Sequence, residues 1–163
     1  MFSLPDTEGK LHSPGDATAT VVVFTANHCP YALGWHDRII DAARDYAGKD
    51  VKFLAISPND AERYPADAPL ANAERVAKGE FGDVPYLYDE DQSVARSLDA
   101  KTTPDIFVFD NELELRYRGA PDADYKDPVQ NAAWLRGALD AVLAGKQPDP
   151  SETEPVGCSI KWK

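Results

Sequence analysis

One uninterrupted strand signal near the amino end places the strongest restriction on how this chain can fold. The run Thr20–Thr25 reads Thr-Val-Val-Val-Phe-Thr and contains no charged residue. A continuous β-branched and aromatic run of this length predicts a strand buried on both faces, as in a parallel sheet covered by helices. It leads directly into Ala26–Pro30, and Pro30 is well placed to open a helix. The first predicted unit is therefore a buried strand, a short loop and a helix.

The rest of residues 1–145 continues this unit as an alternating pattern of strands and helices. A turn-rich hairpin or loop is predicted at Leu4–Leu11, and further strands at Val51–Ser57, Tyr86–Asp89, Asp105–Phe109 and Glu112–Tyr117. Helices are predicted at Pro30–Gly48, in pieces of Ala61–Gly82 broken at Pro65 and Pro69, at Gln92–Leu98 and at Val129–Ala144. This order predicts an α/β fold with a central mixed sheet flanked by helices and an antiparallel hairpin at one edge.

Residues 146–163 form a predicted tail outside this domain. Lys146–Pro155 is rich in proline and acidic residues, so we expect it to be extended. The last segment, Val156–Lys163, is called the tail tip here; it is apolar and basic on an otherwise acidic chain and carries Cys158. A disordered end is the simple alternative, but we expect the tip to dock. The side chains expected to bury apolar surface are Ile160 and Trp162, and those expected to face acidic surface are Lys161 and Lys163.

Composition excludes several kinds of partner. The 163 residues carry a formal net charge of −11, which argues against a nucleic-acid backbone or an anionic membrane as the main partner. No apolar run approaches the roughly 20 residues that a bilayer span needs. Met1–Asp6 does not read as an export signal, so we expect a cytoplasmic protein. With two cysteines in the chain, that compartment favours a reactive pair over a structural disulfide.

Cys29 is the strongest single candidate for chemistry. It lies between the buried strand and the helix that Pro30 opens. Unpaired N–H groups and the positive end of the helix dipole favour a thiolate there, and such cysteines titrate at roughly 3.5 to 7.5 instead of about 8.5. A buried cysteine that acts as a small apolar residue is the alternative. His28 is a candidate to tune this thiol or relay a proton, and Asn27 is a candidate cap of the helix.

Two segments resemble a known group of proteins. Thr25–Tyr31, with its Asn-His-Cys-Pro-Tyr element, and Lys101–Phe107 are similar to the thioredoxin-like superfamily, and within it to the redoxin branch, the alkyl hydroperoxide reductase/thiol-specific antioxidant family. Gly157–Lys163 resembles the carboxyl end of one subgroup of small redoxins. The resemblance implies a thioredoxin-like fold in which Cys29 lies beside the loop of Thr103 and Pro104, with Pro104 preceded by a cis peptide bond.

The departures from the family patterns shape the functional prediction. Ala26 stands where a Cys-x-x-Cys centre has its first cysteine, so a local dithiol cycle is excluded. The peroxidatic pattern expects Pro and Thr or Ser where Val22 and Ala26 stand, and Asp105 follows Pro104 where an arginine would be expected nearby. The arrangement that remains is a pair of thiols distant in sequence, Cys29 and Cys158. The tail can extend roughly 40 Å at about 3.1 Å per residue, and the radius of gyration of the domain is about 15 Å, so Cys158 can reach Cys29.

We therefore predict a thiol-dependent oxidoreductase in which Cys29 attacks and Cys158 resolves, with Lys161 available to stabilise a thiolate. Its partners would be a thiol reductant and a disulfide-bearing protein or small molecule. A thiol peroxidase and a redox-inactive binding protein are the alternatives. A metal site from His28, Cys29 and His36 does not match a common zinc pattern, so neither a metal nor another cofactor is expected. Oligomeric state is left open.

Overall fold

The structure is a computed structural model that describes residues 1–163. It contains nine strands, which are β1 (Leu4–Pro5), β2 (Leu11–His12), β3 (Ala19–Phe24), β4 (Val51–Ser57), β5 (Tyr86–Tyr88), β6 (Thr102–Thr103), β7 (Asp105–Asp110), β8 (Leu115–Gly119) and β9 (Cys158–Ser159). The α-helices are α1 (Pro30–Tyr46), α2 (Pro69–Ala77), α3 (Ser93–Ser97) and α4 (Ala133–Leu143). Single 3-10 turns cover Ala47–Lys49, Pro65–Asp67 and Pro128–Gln130.

The central sheet is mixed, as predicted. Its five strands follow the order β5-β4-β3-β7-β8. Strand β3 is parallel to β4 and antiparallel to β7, and the β7–β8 hairpin forms the edge. All six residues of β3 are buried, because it lies in the middle of the sheet with helices or tail on both faces. The predicted α/β class with a mixed sheet flanked by helices is confirmed.

Two apolar layers cover the faces of this sheet, and alternate residues of β3 enter opposite layers. Val21 and Val23 pack with α1 and α4, where Trp35 and Leu139 are buried. Val22 and Phe24 enter a second layer whose members include residues of α3 and Ile160 of the tail tip. The period-two alternation of a strand produces this division. The tail therefore completes one face of the core.

The last helix begins later than the sequence indicated. The predicted helix at Val129–Ala144 is a 3-10 turn followed by α4, which starts at Ala133. Asn131 and Ala132 separate the two with positive φ values of 49° and 55°. The Ala132 N–H donates to Oδ2 of the buried Asp122 at 2.9 Å. This long-range bond holds the chain out of the helical conformation, and no local pattern signals it.

The edge hairpin also differs from its prediction. The second strand was expected at Glu112–Tyr117, but β8 covers Leu115–Gly119. Oδ1 of Asp110 accepts the N–H groups of Glu112 and Glu114, at 2.9 Å and 3.0 Å. This side chain therefore stabilises a longer turn, and the strand begins only at Leu115.

Candidate active site

Cys29 lies where β3 leads into α1. It is the N-cap residue of α1, with extended backbone at φ −85° and ψ 121°, and Pro30 follows in the first turn. The residue is 0% exposed. Its thiol donates to the Thr103 carbonyl at 3.0 Å. The sulfur therefore sits at the helix N-terminus, as predicted, but it is closed off from solvent.

The Thr103–Pro104 loop is held against Cys29 by the sheet. Strand β7 begins at Asp105, which is paired in register with Phe24 at the end of β3. The residues just before β7 therefore meet the residues just after β3. The peptide bond between Thr103 and Pro104 is cis.

The tail brings the second cysteine to this place. Strand β9 pairs antiparallel with β6, and Cys158 lies opposite Thr103 in the register. The Cys158 side chain packs on the small cluster of buried residues that contains Ala26, Cys29 and Ala32. Both cysteines are free thiols, and Cys158 is partly exposed. The structure thus brings together the two cysteines that the sequence singled out.

Gly157 allows the tail to approach this closely. A Cβ at this position would lie 2.3 Å from the Thr103 carbonyl oxygen and 2.8 Å from its carbon. Such distances do not occur for a real Cβ atom, and the neighbour is backbone that cannot swing aside. Only glycine therefore fits at position 157, where the tail passes the Thr103–Pro104 loop.

The two thiols have opposite electrostatic environments. Burial by itself raises the pKa of Cys29, but hydrogen bonds from the Cys158 thiol and the Ala32 N–H outweigh it, and the net pKa is lowered. Thr103 adds to this lowering. Burial and the neighbouring Cys29 raise the pKa of Cys158, although the charge of Lys161 opposes the rise. Cys29 is therefore the thiol of the pair that ionises first.

The tail tip is anchored mainly by backbone contacts and apolar burial. Ile160 is 3% exposed. The Lys161 N–H donates to Asn59 at 2.9 Å, and its carbonyl accepts from Asp60 and Gln92. Trp162 packs under the Arg96 guanidinium, 4.4 Å from the ring centroid.

The two lysines of the tip form no ion pair, although the charge of Lys163 adds to the hydrogen bonds of Ser93 in lowering the pKa of Asp91. Nζ of Lys161 donates to the Ser159 hydroxyl at 2.9 Å, not to a carboxylate. Lys163 docks through its N–H, which donates to Gln92 at 3.0 Å. Asp60, which accepts a backbone bond beside the tip, pairs with Arg63.

His28 is held by a carboxylate that the sequence analysis did not select. Its Nδ1 lies 2.8 Å from Oδ2 of Asp67, whose side chain is 0% exposed. Asp67 also accepts from the Asn27 N–H at 2.6 Å and from Asn59 at 2.8 Å. The His28 ring stacks on Tyr64 and remains about one-third exposed. The remaining imidazole nitrogen is thus oriented, and the ring faces solvent in part.

The expectation that Asn27 caps α1 is wrong. The helix has no side-chain cap. The Asn27 amide instead donates to the Ala66 carbonyl and to Asn72, and its oxygen accepts from Arg75 and Tyr86. Asn27 therefore ties the loop before Cys29 to α2 and β5, and its role is to shape this loop.

The residues weighed as metal ligands do not form a ligand set. Nε2 of His36 donates to the Glu80 carbonyl at 2.6 Å, and its ring contacts Phe81. No group of three His, Cys, Asp or Glu side chains is arranged to hold a metal ion. None of the helices combines the length and the apolar character that crossing a membrane requires.

Sequence reasoning missed Asp67 and the specific need for Gly157. Asp67 lies in a proline-interrupted stretch where an acidic residue normally marks a solvated turn, so no local signal distinguishes it. Gly157 was part of the tail motif, but only the fold shows that Thr103 lies against it.

The order of the central sheet and the thiol at the start of α1 are those of a thioredoxin-like fold. The family comparison agrees: a model of the AhpC/TSA family matches residues 1–118. The chain belongs to the AhpC/TSA family, and the predicted resemblance is confirmed. The match ends before the tail that carries Cys158.

Solved structures show the same fold. A hypothetical protein from Sinorhizobium meliloti 1021 is 37% identical, with 99% of this chain and 91% of that chain covered and a TM-score of 0.91. An uncharacterized conserved protein from Geobacillus kaustophilus is 40% identical, with 99% and 88% covered and a TM-score of 0.90. A thioredoxin-like protein from Aeropyrum pernix is 18% identical, with 88% of each chain covered and a TM-score of 0.65. No curated protein has a significant sequence match to this chain.

Proposed function

We propose that this protein is a thiol–disulfide oxidoreductase whose redox centre is the pair Cys29 and Cys158. Membership of the AhpC/TSA family supports thiol chemistry. The observation that carries the proposal is the contact of the two free thiols, which the tail creates by pairing β9 with β6. A cysteine of lowered pKa with a second free thiol as its neighbour can act as a dithiol/disulfide couple.

The proposed reaction transfers two electrons to a substrate disulfide. One thiolate of the pair attacks a substrate sulfur, the substrate S–S bond breaks, and the first substrate thiol leaves with a proton. The other cysteine then attacks the mixed disulfide, so that the Cys29–Cys158 bond forms and the second substrate thiol leaves. A thiol reductant returns the pair to the dithiol state. The substrate class is a disulfide-bearing small molecule or protein.

His28 is the proposed proton relay of this cycle. Each exchange step releases or takes up a proton at sulfur, and an imidazole can exchange protons near neutral pH. Asp67 supports this role because it fixes the ring through Nδ1 and leaves the other nitrogen for solvent or substrate. The cytoplasm is the proposed location, since a reducing compartment would return the pair to its dithiol form.

Peptide mapping tests the proposed centre. The protein is oxidised with one equivalent of diamide, alkylated, digested without reductant and mapped by mass spectrometry. We expect a single linked peptide pair that joins Cys29 to Cys158, and reduction by dithiothreitol should restore both thiols. Cys29→Ser and Cys158→Ser are the matched controls and should give no internal link. A wild-type map without this link would contradict the proposal.

Two further assays separate the proposed function from its alternatives. In stopped flow, a dedicated thiol peroxidase would consume hydrogen peroxide far faster than a free cysteine does, whereas we expect slow consumption because Cys29 is 0% exposed. A redox-inactive binding protein would not turn over a disulfide substrate such as insulin or oxidised glutathione. Loss of such turnover in Cys29→Ser would identify the activity with the thiol pair.

A further inference from the structure

We infer that external thiols and disulfides meet the pair at Cys158, and that Cys29 is an internal partner that exchanges only with Cys158. This inference rests on the proposed function and reverses the order of attack expected from the sequence, in which Cys29 acted first. It also selects the substrate class: low-molecular-weight thiols and disulfides that can reach the outer side of the tail.

Access distinguishes the two sulfurs. Cys29 is 0% exposed, and its thiol is bonded to the Thr103 carbonyl. Ala26 and Ala32 surround it on one side and Cys158 covers it from the tail. Cys158 itself is partly exposed. Exchange requires an incoming sulfur to approach in line with the bond that breaks, so access decides which sulfur is attacked.

The tail also restricts how a protein substrate could bind. A peptide could add as a strand to the backbone edge of β6, but β9 already occupies this edge. Gly157 is in van der Waals contact with the Thr103 backbone, so no second chain can enter between tail and loop. Beyond Cys158, the tip is held by the buried side chain of Ile160 and by the backbone hydrogen bonds of Lys161. A small molecule needs none of these surfaces to reach Cys158.

The chemistry of the exchange agrees with this direction. An external thiolate attacks Sγ of Cys158 in the oxidised pair, and a mixed disulfide forms at Cys158. The bond to Cys29 breaks, and Cys29 leaves as a thiolate that accepts the Ala32 N–H. A second external thiolate then attacks the external sulfur of the mixed disulfide. The bond to Cys158 breaks, an external disulfide is released, and Cys158 takes up a proton. Two electrons reach the pair, and two external thiols become one disulfide.

The leaving group makes this order kinetically favourable. A thiol with a lower pKa leaves faster, and Cys29 has the lowered pKa of the two. Attack at Cys29 would instead expel Cys158, the poorer leaving group, and would need the tail to be lifted first. In the opposite direction the same path runs backward: Cys158 attacks an external disulfide, and the Cys29 thiolate displaces the external thiol.

The location of the mixed disulfide tests the inference on the wild-type protein. Oxidised protein is mixed with reduced glutathione, quenched in acid at times from milliseconds to seconds, and mapped. We expect glutathione on Cys158, with Cys29 recovered as a free thiol. Glutathione on Cys29 would overturn the inference. A Cys29–Cys158 link that never forms on oxidation would instead remove the proposed function, so the two failures are distinguishable.

A variant pair gives an independent measurement. Cys29→Ser and Cys158→Ser are nearly isosteric, and unchanged urea midpoints would show that both fold. With oxidised glutathione, and with each rate divided by the thiolate fraction measured for that variant, we expect Cys158 in the first variant to be modified at least roughly 10-fold faster than Cys29 in the second, since reaction at Cys29 requires local opening of the tail. Equal rates, or a faster reaction at Cys29, would overturn the inference.

Discussion

At the scale of single residues, Cys29 shows how hydrogen bonds can lower the pKa of a buried thiol although burial raises it. Desolvation acts against the thiolate, but hydrogen-bond donors take the place of water. The Ala32 N–H comes from the first turn of α1, and the Cys158 thiol comes from the tail. The lowered pKa of Cys29 therefore depends on the tail as well as on the helix.

Cys158→Ala should raise the pKa of Cys29. The alanine removes the thiol that donates to Cys29, and one hydrogen bond to a charged group is worth roughly 1.5–3 kcal/mol. Absorbance at 240 nm followed between pH 4 and 9 measures the thiolate without needing access to it. Cys158→Ser, which keeps a donor at this position, is the matched control and should shift the titration less. Identical curves for the two variants would argue against the hydrogen bond.

Asp67→Ala should destabilise the protein by about 3 kcal/mol, because it leaves buried donors without a partner at a cost of roughly 1–3 kcal/mol each. The donors are the Asn27 N–H and the Asn59 amide. Urea unfolding measures the change, and the exposed Asp37→Ala serves as control. A destabilisation no larger than the control's would contradict the role of Asp67 in holding this loop.

Asp105 should make stability depend on pH. Burial raises its pKa to about 6, although the Lys101 N–H and the charge of Arg118 oppose the rise. One oxygen has no hydrogen-bond partner. The folded state therefore binds the proton more tightly than the unfolded chain does. The stabilisation from this group is complete below pH about 4, where the unfolded carboxyl is also protonated, and it is lost as pH rises through about 6.

Asp105→Asn should remove this dependence. As the pH rises from 4 to 7, the free energy of unfolding of the wild type should fall by roughly 3 kcal/mol relative to that of the variant, since the pKa of Asp105 differs by about two units between the folded and unfolded states. The measurement is urea unfolding at both pH values, with the exposed Asp37→Asn as control. A wild-type to variant difference that stays constant with pH would show that Asp105 is not the titrating group.

The sequence allowed the prediction of the residues whose local setting is unusual. Cys29 follows a buried strand and precedes a proline, and both signals are local. Asp67 and Gly157 could not be selected in this way, because their partners lie far along the chain. Asp67 binds Asn27 and His28, and Gly157 packs against Thr103. Exposure of Cys29 could not be predicted either, since it depends on where the tail lies.

At the scale of elements, the short strand β9 has a larger effect than its two residues suggest. It supplies Cys158, covers Cys29 and carries the chain toward Ile160. It contributes few backbone bonds by itself, so the fit of Gly157 against the loop and the anchoring of Ile160 hold it in place. Tail position and thiol access are therefore linked.

Gly157→Ala should lift the tail from the loop and uncover Cys29. The added Cβ would meet the Thr103 backbone at 2.3 Å, and this clash is avoided only when β9 moves away. We expect alkylation of Cys29 by iodoacetamide to rise at least roughly 10-fold, because the open state becomes the populated one. Gly48→Ala, where a Cβ meets nothing within 4 Å, is the control. An unchanged rate of Cys29 alkylation would contradict the linkage.

The elements themselves were largely predictable where hydrophobic periodicity decides them. Strands β3, β4 and β7 and helix α1 follow their apolar patterns. The boundaries of α4 and β8 did not follow them, because Asp122 and Asp110 stabilise irregular backbone before each element. The pairing of β6 with β9 lies beyond pattern reasoning, as strands of two residues carry no periodicity.

At the scale of the whole molecule, the tail crosses the hairpin edge before it reaches the site. Thr153 accepts from the Ala120 N–H and contacts the Tyr117 hydroxyl beside Gly119, where a Cβ would clash with it. The tail is then held again at β6 and at Ile160. Three separate attachments fix a segment whose composition predicts only an extended chain. The path could not be predicted because it depends on surfaces that form only when the sheet is complete.

Oxidation should stabilise the whole molecule, because the Cys29–Cys158 bond would close a loop that spans most of the chain. Loss of entropy in the unfolded chain contributes up to roughly 5 kcal/mol for loops of this order. The gain should be smaller than this value, since the oxidised pair loses the hydrogen bonds that stabilise the Cys29 thiolate. Urea unfolding of the diamide-oxidised and dithiothreitol-reduced protein measures the difference, and Cys158→Ser should show none. An oxidised wild type that unfolds at lower urea than the reduced form would show that the pair closes only by displacing the tail from its three attachments.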